Sequence, residues 1–151
     1  MQADSLFSVS NLVAMAGWLL LTVAPRWTVT RTVVISGLIP LLLGAAYLIL
    51  VILFFGEGEG SFGSLNGVMT LFQNPWAVLA GWIHYLAFDL FVGSWEVRDS
   101  EKHGISHFLV IPCLFLTFML GPVGLLTYFI IRGIKTKKVL HDNFSRDKIT
   151  G

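Results

Sequence analysis

The stretch "GWIHYLAFDLFVGSWEVRD", residues 81–99, decides how this chain is read. It is oily enough to lie in a bilayer, yet it carries His84 and Asp89 and runs directly into Glu96, Arg98 and Asp99. Composition says which solvent such a stretch meets. The chain is 55% hydrophobic and 13% charged, with a mean hydropathy of +0.76. A soluble domain carries about a quarter charged residues, so the composition points to an integral membrane protein. The apolar runs are continuous rather than alternating, which speaks for helices and against a barrel.

A helix needs roughly 20 mainly apolar residues to cross the hydrocarbon core. Four segments reach that length: residues 6–24, 32–55, 75–95 and 107–131. The expected fold is therefore all-α, a polytopic four-transmembrane-helix bundle over residues 1–131. Pro25 and Arg26 end the first span, and "PRWTVTR" makes a tight connection. Pro40 predicts a kink inside the second, because proline removes a backbone hydrogen bond. Pro75 suits the first turn of the third. Gly121 and Pro122 predict a bend in the fourth. Between spans two and three, Phe62, Leu65, Val68, Met69 and Phe72 recur at helical steps and predict a short interfacial amphipathic helix. An ordered loop packed on the bundle is the alternative.

The formal net charge of +1 carries no nucleic-acid signal. Of the ten Lys and Arg, six lie in the polar tail 132–151; Arg26, Arg31, Arg98 and Lys102 are the others. With four spans both termini share one side, and that excess predicts cytoplasmic termini. The tail reads as a topology signal, with anionic-lipid binding as the functional alternative. The single cysteine, Cys113, has no partner for an internal disulfide. The start "MQADSLFSVSN" lacks a basic n-region, so the first apolar segment is expected to stay in the mature chain.

Ionisable groups in a span cost about 2.5–3.5 kcal/mol at the bilayer centre and usually face the bundle interior. At 100° per residue, Trp82, Tyr85, Asp89 and Glu96 share one broad face of the third span, and His84, Phe88, Phe91 and Trp95 another. His84 and Asp89 lie about 140° apart and are not expected to bond each other. The candidate catalytic residues are His84, Asp89 and Glu96. Trp82, Tyr85, Phe88, Phe91 and Trp95 would line an apolar slot, with Arg98 and Asp99 as supporting charge. Each has a structural alternative: packing histidine, interhelical hydrogen bond, interfacial salt bridge or membrane-interface aromatic. Arg26 or Arg31 is a candidate partner for Glu96 or Asp99. His103 and His107 have a spacing that can grip a metal on one helix. Ser106 reads as the N-cap of the fourth span, however, which leaves His103 in a loop. No metal and no cofactor are predicted.

The run from "FGSLNGVMTLFQNPWAVLAGWIHYLAFDLFVGSWEVRDS" through "HFLVIPCLFLTFMLGPVGLLTYFIIR" resembles the membrane-protein family named after the plant abscisic-acid-deficient-four protein. "GWIHYLAFDLFVG", residues 81–93, carries the resemblance most specifically, and "GPVGLLTYFIIR", residues 121–132, supports it. The resemblance implies a role in carotenoid metabolism, in a bacterial inner membrane or a photosynthetic membrane. It suggests isomerisation of the violaxanthin-to-neoxanthin type, in which an epoxide opens and a neighbouring carbon loses a proton. That chemistry needs an acid near the oxygen and a base near the carbon. Asp89 would suit the acid, and His84 or Glu96 the base. The alternative is a non-catalytic protein that binds a carotenoid or other isoprenoid, as a homo-oligomer or as an accessory subunit of a larger membrane complex. A proton or small-solute carrier is a third reading.

Overall fold

α1 (Ala3–Val23) opens the chain. Some of its polar side chains donate to the backbone one turn back, which offsets their cost in an apolar surrounding. Ser8 Oγ donates to Asp4 O and Asn11 Nδ2 to Phe7 O, both at 2.9 Å. The computed structural model describes residues 2–54 and 60–137. Among these, every regular element is helical and no strand occurs. The chain divides into two units, residues 1–95 and 96–151.

In the first unit, α1 is followed by a one-turn α2 (Thr28–Thr30), a π-helical turn (Arg31–Ile35) and α3 (Leu38–Phe54). At Pro40, where a kink is expected, the run Thr28–Phe54 is divided into separate helical elements. Pro40 sits in the first turn of α3, where its missing N–H costs nothing. The irregularity comes just before it. Ser36 N donates five residues back to Arg31 O at 2.9 Å, and Gly37 adopts φ +92°. Just before the π turn Thr30 Oγ1 donates to Ala24 O at 2.7 Å; Ser94 Oγ, which donates to Leu90 O at 2.8 Å, also lies 3.3 Å from Val34 O within the turn.

α4 (Leu65–Leu71) is capped by Ser64, whose Oγ accepts from Gly67 N at 3.1 Å. It falls where the periodicity predicts a short helix. α5 (Pro75–Lys102) begins at Pro75, with Asn74 Oδ1 accepting from Trp76 N at 2.9 Å. It outruns the expected span 75–95. Its portion up to Trp95 belongs to the first unit and packs Leu79, Ile83, Leu86 and Ala87 against Ala14, Leu43 and Leu50. Gly17 permits a close approach of α1 to α5: a Cβ there would stand 2.9 Å from Leu90 Cδ2.

The second unit holds the end of α5, then α6 (His107–Leu120) and α7 (Pro122–Thr136). The single fourth helix expected over 107–131 is thus two. Gly121, at φ +47° and ψ −97°, reverses the chain, a conformation costly for any residue with a Cβ. Gly124 lies so close to Thr117 that an added Cβ would overlap the Thr117 backbone nitrogen and hydroxyl. α7 continues past residue 131, so the expected tail boundary falls inside a helix. The rest of the tail, 138–151, lies outside the described residues.

α1, the run Thr28–Phe54 and α5 are long and apolar enough to cross a membrane; α6 is shorter. Their outward faces are oily: Leu12 and Ile52 are each 72% exposed. A soluble monomer rarely shows contiguous apolar surface on this scale.

Candidate functional site

Residues of α3, α4 and the early turns of α5 line an open pocket of about 270 Å³. Its wall is aromatic: Tyr47, Phe54, Phe62, Phe72 and Trp76, with His84 in the lining. Phe54 and Trp76 stack at 4.2 Å with planes 7° apart, and the Tyr47 and His84 rings lie 5.4 Å apart. Ala77, Ala80 and Gly81 leave the space open on the α5 side. Of the lining side chains, only Tyr47 and His84 can gain or lose a proton in ordinary acid–base chemistry.

The other candidates on α5 lie away from this lining. Asp89 and Tyr85, one turn apart, hydrogen-bond each other. Trp82 packs on Tyr85 at 5.4 Å and on Phe7 at 5.5 Å, and its Nε1 donates to Asn11 Oδ1 at 3.0 Å. This edge thus ties α5 to α1. On the His84 side, the Phe88 ring lies 4.6 Å from the imidazole. Phe88 and Phe91 are exposed, and Trp95 is half-buried.

The second unit contains a separate polar cluster. Glu96 is fully buried and accepts from Thr117 Oγ1 at 2.9 Å. Asp99 accepts from the Tyr128 hydroxyl at 2.7 Å, and Arg132 Nε stands 3.4 Å from the same Oδ2. His103 Nδ1 donates to Asp99 O at 2.8 Å, which leaves Nε2 to face Arg132 Nη2 at 3.4 Å. Within this unit the guanidinium beside Asp99 is that of Arg132. Arg98 is exposed. Ser106 holds the N-cap position of α6 without a side-chain cap bond, and His103 precedes the helix that starts at His107. No group of three or more metal-ligating side chains occurs among the described residues.

Sequence reasoning missed Tyr47, Phe54 and Trp76 at the cavity and Thr117, Tyr128 and Arg132 in the cluster. Gly124, Tyr128 and Arg132 recur every four residues and mark the buried face of α7, which was the available signal. Arg132 was instead read as the first residue of a solvated tail.

These features define a class: an all-helical protein with three membrane-length apolar helices, an aromatic cavity in one unit and a buried ionic cluster in the other. The chain belongs to the ABA4-like, or ABA DEFICIENT 4-like, family, whose pattern it matches over residues 5–128. It is 24% identical over 142 residues to Protein ABA DEFICIENT 4, chloroplastic, of Arabidopsis thaliana. That match covers 87% of this chain and 62% of the plant protein, so the chain spans under two thirds of its relative's length. No solved structure matches.

Proposed function

We propose that this chain is an integral membrane protein of carotenoid metabolism, and that the α3–α4–α5 cavity receives one end of a membrane isoprenoid. The observation that carries this reading is the aromatic wall of the cavity with Tyr47 and His84 set into it. Size narrows the occupant. A cavity of about 150 Å³ lined by Leu, Ile and Phe holds benzene. One of about 270 Å³ has room for a substituted ring but not for a long polyene. The rest of the chain would lie along the apolar outer surface of the helices. Family membership supports the carotenoid class, and the relative's chloroplastic name suits a photosynthetic membrane. Membership alone does not specify a reaction.

The reaction we propose is an isomerisation without net redox change. Opening an epoxide to an allene adds a proton at oxygen and removes one from a neighbouring carbon, so the atoms balance. The Tyr47 phenol gives the proton to the oxygen and the His84 imidazole takes the one from carbon. The proton then returns from imidazole to phenol, whose rings are 5.4 Å apart. Asp89 as the acid is the competing assignment, and Glu96 as the base is a weaker one, since neither lines the cavity.

The test is an organic extract of purified protein, analysed by chromatography with absorbance and mass detection. His84→Ala, Tyr47→Phe and Asp89→Asn are run beside the wild type. A bound isoprenoid in the wild type, with product lost in the first two variants and kept in the third, is the expected result. Loss in Asp89→Asn alone would return the acid role to that residue. Identical pigment and product in every chain would favour a binding or accessory subunit. The engagement of Asp89 with Tyr85, and of Glu96 with Thr117, favours that second reading. Comigration with a larger complex or a homo-oligomer on size exclusion would strengthen it.

A further inference from the structure

We infer that α6 and α7 form a re-entrant hairpin that enters and leaves the bilayer on one face, in place of a fourth crossing. The inference rests on the membrane reading above and uses only the second unit.

The direction of α7 is the first observation. A bent spanning helix would carry residues after Gly121 away from those before it. Here Gly124 lies against Thr117, so the chain doubles back. The register along α5 agrees. Thr117 of α6 pairs with Glu96, Tyr128 with Asp99, and Arg132 with His103. As α7 advances, its partners step towards the C-terminal end of α5, where α6 begins. The α5–α6 connection and the end of α7 therefore lie at the same end of this unit.

Length is the second. α6 has 14 residues and α7 has 15. At 1.5 Å per residue each reaches about 21–23 Å, short of the roughly 30 Å hydrocarbon core. Two complete crossings are therefore not available.

The tip is the third. Residues 118–126 read "FMLGPVGLL", with no polar side chain to meet water at a far surface. Backbone polar groups left in hydrocarbon need partners, and this turn supplies several of them. Gly121 N donates to Thr117 O at 2.8 Å, Gly124 N and Leu125 N donate to Gly121 O, and Pro122 has no N–H. Among the described residues of the unit, Glu96 is buried against Thr117, and the other charged residues sit at the base: Arg98, Asp99, Glu101 and Lys102 on α5, and Arg132, Lys135 and Lys137 at the end of α7. Three crossings and a hairpin replace the expected four.

Single-cysteine variants of the full chain test this. In a Cys113→Ala background, Ser106→Cys, Lys137→Cys and Val123→Cys are each expressed in bacterial inner membranes. Sealed vesicles of both orientations are treated with a membrane-impermeant maleimide. A carbonate wash comes first: release of the protein would overturn the membrane reading itself. With the protein retained, positions 106 and 137 should label from the same side. Position 123 should label from neither, though it reacts once detergent is added. Labelling of 106 and 137 from opposite sides would establish a fourth crossing and overturn the hairpin. Labelling of 123 from the face opposite 106 would show two crossings, and from the same face as 106 an uninserted hairpin; either also overturns it.

Discussion

Tyr128 donates its hydroxyl proton to Asp99 at 2.7 Å, and Arg132, one turn along α7, stands 3.4 Å from the same carboxylate oxygen. A phenol and a guanidinium on one face of α7 thus share a single acceptor on α5. All three residues are buried, so the pair is shielded from water and each member depends on the others. Truncating one partner of such a pair leaves the other charge stranded, whereas replacing all of them with apolar groups can be neutral.

Arg132→Met is therefore expected to lower stability by about 3–5 kcal/mol. The triple change Asp99→Leu, Tyr128→Phe and Arg132→Met should recover most of that loss. Denaturant titration in detergent micelles, followed by circular dichroism, measures both. A single variant as stable as the wild type would mean that the pair contributes no net stabilisation.

Two glycines separate close approach from open space. A Cβ at Gly124 would overlap the backbone of Thr117, which cannot swing aside as a side chain can. Gly124→Ala should abolish folded yield or sharply lower the melting temperature. At Gly44 on α3 nothing lies within 4 Å of an added Cβ. Gly44→Ala should be neutral or stabilising by up to about 1 kcal/mol, from helix propensity. Equal effects at the two sites would contradict the tight α6–α7 packing.

Filling the cavity tests its role apart from catalysis. Ala77 lines the cavity on α5, and Ala77→Phe would place a ring in it. The variant should keep its melting temperature within a few degrees and lose co-purifying isoprenoid. Absorbance of the extract against protein concentration reads the loss. Undiminished pigment would place the ligand elsewhere.

Removing the acceptor of Trp82 measures what the α1–α5 edge contributes. Asn11→Leu deprives the indole N–H of its 3.0 Å partner. Interhelical hydrogen bonds in membrane proteins average about 0.6 kcal/mol, so a small decrease of that order is expected in the same titration. A loss several times larger would make this bond a principal fastener of the first unit.

Much of this was legible in one dimension, for a physical reason. Helix formation in an apolar chain depends on local run length and on proline and glycine positions. Those placed α1 and the start of α5 at Pro75, and the three- and four-residue recurrence of Leu65, Val68, Met69 and Phe72 placed the small helix after Ser64. Pro40 marked the region where the second apolar run is interrupted, since a proline ring crowds the carbonyl four residues before it; the π turn that takes up the interruption was not legible. The separation of His84 from the Tyr85–Asp89 edge follows from helical angle alone. The neighbours of each edge do not.

The sequence by itself determined an all-helical apolar chain, family membership and a set of ionisable residues on α5, since composition and periodicity are properties of single segments. Only the tertiary structure decided that His84 faces a cavity walled by α3 and α4, and that Asp99 answers to Arg132. It also decided that residues 107–136 fold back on themselves. Each of these depends on which distant segment fills the space beside a helix. That choice is made by packing at Gly121 and Gly124 and by the pairing of buried charge, which no local pattern encodes.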